Sequence, residues 1–392
     1  MSMLFQLDDA LLALQQEARE FARTEVAPQA ARRDREKEFP ADLMTQVGAR
    51  GWLGCLVPRS WGGSDIGNIG QAVVLEEIAA ACASTHVTMS VHNSLMSTPL
   101  KKYASAELQQ EFLPKVVTGE WLGAYLLTEP GAGSDAAAQK TTAVRDGDDW
   151  LINGEKMWIT TGDMARVGIV FARTDLDPAA RDAKAVSAFV VDMQSPGISF
   201  GKREPKLGLR GSTTVAISLK DLRVPGKNLL GELHRGFNIA MDLLNGGRIG
   251  IAIQGIGIGR AALELALDTV GGMKRNGKDL ARSQSVQFRL ADMATRVDAA
   301  RLLAYRAAEL RDHDLPHIKE ASMAKLFATR MANEVCREVV ELLGESGYGA
   351  ASAAERLMRD CRICELYEGT TEIQKLVIAK QLFADRAAEE KA

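Results

Sequence analysis

The hydrophobic periodicity of this 392-residue chain changes twice, and this alternation limits its architecture more than any other feature. Residues 8 to about 120 carry apolar side chains at helical spacing. From about Leu122, short strand-like runs alternate with turn residues such as Asn153-Gly154. After Pro225-Gly226, long helical patterns with short connections resume, as in an antiparallel bundle. The alternation predicts a mostly α, α+β chain with an N-terminal helical domain (residues 1–121), a central β-sandwich or barrel-like domain (122–232) and a C-terminal four-helix bundle (233–392).

Composition and charge narrow the function classes. Hydrophobic residues are 46% and charged residues 25% of the chain, which is the balance of a soluble globular protein. A net charge of -3 gives no electrostatic reason to expect a nucleic acid or an anionic membrane as partner. No apolar run is expected to reach the length that is needed to span a bilayer. The N-terminus shows no secretory pattern, so a cytoplasmic protein is expected.

The cysteines and glycines exclude two common kinds of site. The five cysteines are scattered and odd in number, which argues against a disulfide framework. Cys361 and Cys364 have CxxC spacing, but no second pair or histidine pattern accompanies them, so we interpret them as structural thiols and predict no metal site. The Gly255-Ile-Gly257-Ile-Gly259 run lies inside a helical pattern instead of following a strand. A nicotinamide-binding Rossmann fold is therefore not expected.

Two segments have residue types that could carry chemistry. Tyr367–Gln374 places a carboxylate, Glu368, directly before Gly369, whose missing side chain lets a ligand approach the backbone. From spacing alone, a solvated glutamate at a helix start is an equally good interpretation. Leu127–Asp135 combines hydroxyls with glycines, although its Pro-Gly-Ala-Gly-Ser-Asp core could be an ordinary turn. A third segment, Trp158-Ile159-Thr160, could equally hold a tryptophan of the plain hydrophobic core.

Taken together, these segments resemble the acyl-CoA dehydrogenase flavoprotein family, and the similarity runs from about Leu7 to about Phe383. The resemblance implies FAD-dependent oxidation of an acyl-CoA thioester to the trans-2-enoyl-CoA. A base takes the α-proton and flavin N5 accepts the β-hydride, since side chains cannot accept hydride. It also implies an electron-transferring flavoprotein as electron acceptor and a homotetramer. The stretches Val87–Met96 and Gly247–Ala252 are most similar to short-chain members.

The resemblance assigns roles to individual residues. Glu368 corresponds to the catalytic base, and its backbone N–H is expected to donate to the thioester oxygen. Some family members carry the base at the position of Gly247, which has no side chain to serve. Arg248 and Asn245 are expected on the CoA part of the substrate, although an arginine beside an apolar helix face is usually a surface residue. The substrate-binding set implied is Ser134, Asn245, Arg248 and Gly369. The cofactor-binding set implied is Tyr125, Leu127, Thr128, Gly133, Ser134, Trp158, Ile159, Thr160, Gln284, Gly344, Thr370 and Glu372.

The sequence departs from the family pattern at the positions expected around the ADP half of FAD. Met273 and Asn276 stand where an arginine and a phenylalanine are usual, with Arg275 as a possible substitute for the arginine. Glu341 and Glu345 add carboxylates near the expected pyrophosphate, which is unfavourable by charge repulsion. These departures put the affinity for FAD in question. They leave open an alternative, a flavin-deficient family member that binds acyl-CoA or transfers protons without redox chemistry.

Overall fold

The N-terminal third of the computed structural model, which describes residues 6–175 and 185–390, is helical. The first helix begins after Asp8, whose carboxylate accepts a hydrogen bond from Leu11 N at 2.8 Å. The helices of this part are α1 (Asp9–Phe21), α2 (Ala27–Glu36), α3 (Ala41–Ala49), α4 (Gly67–Ala81), α5 (Ala83–His92), α6 (Thr98–Tyr103) and α7 (Ala106–Val117).

The middle of the chain forms one curled seven-stranded sheet. Strand β3 runs through Asn153-Gly154, where a turn was expected, so that prediction is wrong. Gly154 lies where a side chain would collide with Thr141, directly before the neighbouring strand, which explains a glycine within a strand. The strands are β1 (Gly123–Leu126), β2 (Thr142–Asp146), β3 (Asp149–Thr160), β4 (Val167–Arg173), β5 (Val186–Asp192), β6 (Ile198–Phe200) and β7 (Thr214–Pro225), paired in the order β1-β4-β2-β3-β7-β6 with β5 on β4.

The last part of the chain returns to helices. Its centre is the 37-residue α8, which packs on both the N-terminal helices and the C-terminal ones. Between α8 and the next long helix lies a small hairpin, β8 (Lys274–Arg275) and β9 (Lys278–Asp279). The helices are α8 (Gly236–Gly272), α9 (Gln284–Asp312), α10 (Ile318–Leu343), α11 (Glu345–Tyr348), α12 (Ala353–Cys361) and α13 (Thr371–Glu389).

Helix α8 is apolar enough, by length and composition, to cross a membrane. The expectation that no segment reaches this length is therefore wrong. In the fold, however, 78% of its apolar window is buried against other helices. Its composition is thus that of the central helix of a globular core.

A buried ion network joins the two helical regions. Glu76 and Glu77 of α4 are 2% and 3% exposed and lie between arginines of three other helices. Arg301 of α9 reaches Glu76 at 2.8 Å, while Arg260 of α8 and Arg19 of α1 reach Glu77 at 2.7 and 2.9 Å. Several partners for each carboxylate offset the cost of burying the charges. The network fixes α8 against the N-terminal helices, and the predicted fold class, helical at both ends around a central sheet, is confirmed.

Candidate active site

Glu368 lies in the turn that precedes α13. Glu368 (φ +50°) and Gly369 (φ +92°) are consecutive residues in the left-handed region, and they reverse the chain before the last helix. A non-glycine residue in this region costs roughly 1–2 kcal/mol, so the surroundings must hold it. Thr370 caps α13, because its hydroxyl accepts from Ile373 N. Glu372 is exposed in the first turn of that helix.

A lysine from α10 holds the same turn. The Lys325 ammonium donates to Tyr367 O at 2.6 Å and also to Gly369 O, the carbonyls on either side of Glu368. Gln374, fully buried in α13, donates to Gly369 O at 2.8 Å. These bonds satisfy the carbonyl groups of a turn that belongs to no regular element.

The Glu368 carboxylate is buried and unpaired. Neither of its oxygens has a hydrogen-bond partner among residues 6–175 and 185–390. Burial raises the pKa of Glu368 to about 7, against the opposing effect of the Lys325 and Arg248 charges. The alternative of a solvated helix-start glutamate is therefore wrong. A carboxyl group in these surroundings can take up and release a proton near neutral pH.

Two adjacent glycines of α8 make room for charged groups beside the turn. A side chain at Gly247 would collide with Glu368 Oε2, and one at Gly246 would collide with the Arg311 guanidinium. Gly247 is the position at which some family members are expected to carry the base. Here the carboxylate of Glu368 reaches that same position from a different segment.

Arg248 follows these glycines and points inward. It is 5% exposed, and its Nη1 donates to Asn245 Oδ1 at 2.8 Å and to Ser322 Oγ at 3.2 Å. The alternative of a surface arginine is therefore wrong. Burial lowers the pKa of Arg248, and the charge of Glu368 opposes that shift. Asn245 and Arg248 thus form a hydrogen-bonded pair close to the Glu368 carboxylate.

Tyr125 links the sheet to this site. Its hydroxyl is buried without a hydrogen-bond partner in the described part of the chain, and its ring packs edge-on against Phe171 at 4.9 Å. Burial raises the pKa of Tyr125 most, and the charge of Glu368 raises it further. The interaction with Glu368 brings the first of the two predicted segments next to the second, across some 240 residues of sequence.

A buried ion pair fixes the segment that follows Tyr125. Glu129 Oε1 accepts from Lys156 Nζ at 2.8 Å, and the lysine also donates to Leu127 O and Gln139 Oε1 at 3.2 Å each. Burial lowers the pKa of Lys156 to about 8. A backbone bond from Met157 N to Thr128 O, at 2.8 Å, lies beside the pair. The predicted segments at 127–135 and 158–160 are thereby held together.

The surface formed by these two segments fits a planar, partly apolar ligand. Trp158 is 53% exposed in the left-handed region (φ +59°), so the core alternative is wrong for it. Side chains built on Gly131 or Gly133 would meet no atom within 4 Å, which leaves open space over the loop. Leu127 and Ile159 are buried, Thr128 and Thr160 are half-buried, and Gly133 and Ser134 are exposed. Such a cradle of glycines, hydroxyls and an uncovered indole suits an isoalloxazine ring.

Two predicted cofactor residues lie elsewhere. Gln284 begins α9 and Gly344 ends α10, both exposed. Gly344 is 19 residues beyond Lys325, or about 28 Å along the helix axis. Gly344 is thus far along α10 from the Glu368 turn, and a role of Gln284 or Gly344 with the same ligand stays a prediction.

The departures from the family pattern have local explanations. The chain leaves the helix at Gly272, and Asn276 and Gly277 (φ +52° and +76°) form the turn of the β8–β9 hairpin. Met273 packs against the helical core, and the side chain of Arg275 lies outside the described residues. Glu341 is paired with Arg337 at 2.7 Å and Arg289 at 3.4 Å, and Glu345 is exposed at the start of α11. Glu341 is thus paired within the chain, and its effect on the affinity for FAD stays a prediction.

Sequence reasoning missed Lys325, Lys156 and Glu129. A lysine in an amphipathic helix pattern usually faces solvent, and only the fold buries Lys325. Glu129 and Lys156 lie within segments that we singled out for other residues. The opposite charges of Glu129 and Lys156 were the one signal in the sequence that could have predicted this pair.

Comparison with known proteins places the chain in a family. Models of the N-terminal, middle and C-terminal domains of acyl-CoA dehydrogenases match residues 8–120, 124–222 and 234–383 in succession. This chain belongs to the acyl-CoA dehydrogenase family. Over 94% of its length it is 45% identical to the mitochondrial short-chain specific acyl-CoA dehydrogenase of Mus musculus, covering 89% of that protein. The predicted family and enzyme class are confirmed.

Solved structures of similar proteins agree. Butyryl-CoA dehydrogenase from Megasphaera elsdenii superposes with a TM-score of 0.94 at 35% identity, over 97% of this chain and all of that one. A chain of a structure described as the electron transferring flavoprotein of Acidaminococcus fermentans matches with a TM-score of 0.94 at 37% identity, over 97% and 99% of the two chains. This acyl-CoA dehydrogenase thus has the fold of its relatives throughout.

Gly247→Ala should lower kcat by roughly 10²-fold, the typical effect of displacing a reacting group by about 1 Å. The added methyl group would occupy the space of Glu368 Oε2 and displace the carboxylate that we predict to be the base. Steady-state kinetics with butyryl-CoA measures the effect. Gly250→Ala, whose methyl would meet Ser90 Oγ one turn further along α8, is the matched control. Equal losses in both variants would show that helix packing, and not the base, is responsible.

Proposed function

We propose that this protein catalyses the FAD-dependent α,β-dehydrogenation of a short-chain acyl-CoA thioester, with Glu368 as the base that takes the α-proton. The observation that carries the proposal is the buried, unpaired Glu368 carboxylate, whose pKa is raised to about 7. Similarity to a short-chain specific enzyme and to a butyryl-CoA dehydrogenase supports the substrate class.

Glu368 and the residues around it have separate roles in the reaction. The carboxylate removes the proton on the carbon next to the thioester carbonyl, and the electron pair of that C–H bond moves into the forming double bond. The backbone N–H of Glu368 donates to the thioester oxygen, where negative charge develops. Gly369 leaves space for the thioester, and Ser134, Asn245 and Arg248 bind other parts of the acyl-CoA. Burial excludes water, so the base is not solvated before it reacts.

The cradle at the edge of the sheet would hold the flavin of FAD. When bound, FAD would supply the acceptor for the β-hydride, which makes the oxidation complete. Within one chain, the flavin would be contacted by Tyr125, Leu127, Thr128, Gly133, Ser134, Trp158, Ile159, Thr160, Thr370 and Glu372. From a second subunit, FAD would be contacted by Gln284 and Gly344. Such a shared site would require the homotetramer that the family resemblance implies, and we expect this assembly in the cytoplasm.

The test uses purified protein and butyryl-CoA. We expect a yellow protein that retains FAD and forms the 2-enoyl-CoA when an artificial electron acceptor is present. Loss of FAD on dilution, measured by flavin fluorescence, would show that Met273, Asn276, Glu341 and Glu345 weaken its binding. A colourless protein that cannot be reconstituted with FAD, yet binds acyl-CoA, would instead favour the flavin-deficient alternative. The similarity to a chain in an electron transferring flavoprotein structure supports such a flavoprotein as the natural acceptor.

The pH dependence of turnover should follow the ionisation of Glu368. The base works only as a carboxylate, so kcat should fall as the pH drops below about 7, the value to which burial raises its pKa. Below that midpoint the decrease should approach about tenfold per pH unit. A kcat that stays constant down to pH 5, where an exposed glutamate is still mostly ionised, would contradict the proposed role of Glu368.

A further inference from the structure

Lys325 is a buried charge that the proposed reaction does not use. It lies in the middle of α10 and is 1% exposed. Burial lowers its pKa to about 8, and the charge of Glu368 opposes that shift. Burying an ammonium group is costly, so its retention requires strong partners. Those partners are two backbone carbonyls, Tyr367 O at 2.6 Å and Gly369 O.

The two carbonyls flank Glu368, and this placement constrains the peptide group before it. In a planar trans peptide, the C=O and N–H bonds point in opposite directions. Because the Tyr367 carbonyl points at Lys325, the N–H of Glu368 points away from α10. The Gly369 carbonyl is held by the same ammonium and by Gln374. Lys325 therefore fixes both ends of a residue that has an unfavourable left-handed backbone.

We propose that Lys325 is a positioning residue for the dehydrogenation, which holds the Tyr367–Gly369 turn so that the carboxylate and the backbone N–H of Glu368 both face the thioester. The inference rests on the proposed function and assigns Lys325 a part in it. Lys325 does not touch substrate. It acts through Glu368, by hydrogen bonds to the turn and by its positive charge.

Among the described residues, four charged or titratable groups face Glu368 from the elements around it. Lys325 comes from α10, Arg248 from α8, Tyr125 from β1 and Tyr367 from the turn itself. Burial raises the pKa of both tyrosines, so they stay neutral at neutral pH. The two cations favour the ionised carboxylate, and removing Lys325 should therefore raise its pKa further.

Lys325→Met is the main test, because methionine keeps the length and apolar stem but not the ammonium. We expect kcat at the pH plateau to fall by about 10²-fold, the typical cost of a misplaced reacting group. The midpoint of the pH profile should rise by about one unit, and KM for butyryl-CoA should change little. Lys101→Met, which removes an exposed lysine of α6 that likewise donates to a backbone carbonyl, Leu56 O, is the control. It should change neither kcat nor the midpoint.

A purely structural role for Lys325 would not move the pH midpoint. A folded Lys325→Met protein with kcat within about threefold of wild type and an unchanged midpoint would overturn the proposal. If that variant does not fold, Lys325→Arg serves instead, since it keeps a cation but not the geometry of an ammonium. Its midpoint should stay at the wild-type value while kcat falls at least about tenfold. An unchanged kcat in the arginine variant would equally overturn the proposal.

Hydrogen exchange separates this inference from the proposed function. The peptide spanning residues 365–373 should exchange at least about tenfold faster in Lys325→Met than in wild type, without substrate present. Faster exchange together with an inactive wild type would mean that the turn is held as described but the reaction is not the one proposed. Unchanged exchange and turnover, with an active wild type, would sink the inference and leave the function standing.

Discussion

Glu368→Gln should reduce turnover of butyryl-CoA by about 10²- to 10⁴-fold, the range that a general base contributes. The amide matches the carboxylate in shape but cannot accept the proton. The Glu368 site is built around an unpaired group, so the substitution removes no hydrogen bond to the described residues. The fold should therefore be preserved, and the protein should still bind FAD and acyl-CoA.

Exchange of the α-proton identifies the step that fails. Wild-type enzyme incubated with butyryl-CoA in D₂O, without an electron acceptor, should incorporate deuterium next to the thioester carbonyl, and Glu368→Gln should not. Circular dichroism and retention of the yellow colour control for folding. Wild-type turnover in the glutamine variant would remove Glu368 as the base. Exchange in a wild type that forms no 2-enoyl-CoA would point to the non-redox alternative.

Lys156→Met should destabilise the protein by about 3–5 kcal/mol, the usual cost of breaking a buried ion pair from one side. Lys156 and Glu129 have side chains 0% and 5% exposed, so the glutamate would remain buried without its cation. Glu129 also accepts from the backbone N–H groups of Lys140 and Thr141, which should keep the loss towards the lower end of that range. Guanidinium unfolding followed by tryptophan fluorescence measures it.

The double variant Lys156→Met with Glu129→Gln tests the cause of that loss. Removing both charges should restore a large part of the stability, because no uncompensated charge stays buried. Lys156→Met alone should also release FAD more readily, since the pair holds the loop at 127–133 to the strand that carries Trp158. If the double variant is less stable than Lys156→Met, the charge pair is not the stabilising element.

The features of this enzyme that can be predicted from its sequence are those that depend on residues close together in the chain. The change from helical to strand period is local, as is the Glu368-Gly369 pair, and both predictions agree with the fold. The Asn153-Gly154 turn was wrong because close packing against Thr141, and not a chain reversal, requires Gly154. Lys325 was invisible because a lysine in a helix is buried only when distant segments cover it. The carbonyls that retain it are 42 and 44 residues away.

The Glu368 carboxylate lies in the final turn, and its neighbours Tyr125, Arg248 and Lys325 come from β1, α8 and α10. Tyr125 and Glu368 are some 240 residues apart, so their surroundings assemble only when the middle and the later parts of the chain have packed together. A partly folded intermediate therefore lacks the buried, unpaired carboxylate. Recovery of activity during refolding should coincide with the final packing of these elements and should not precede it.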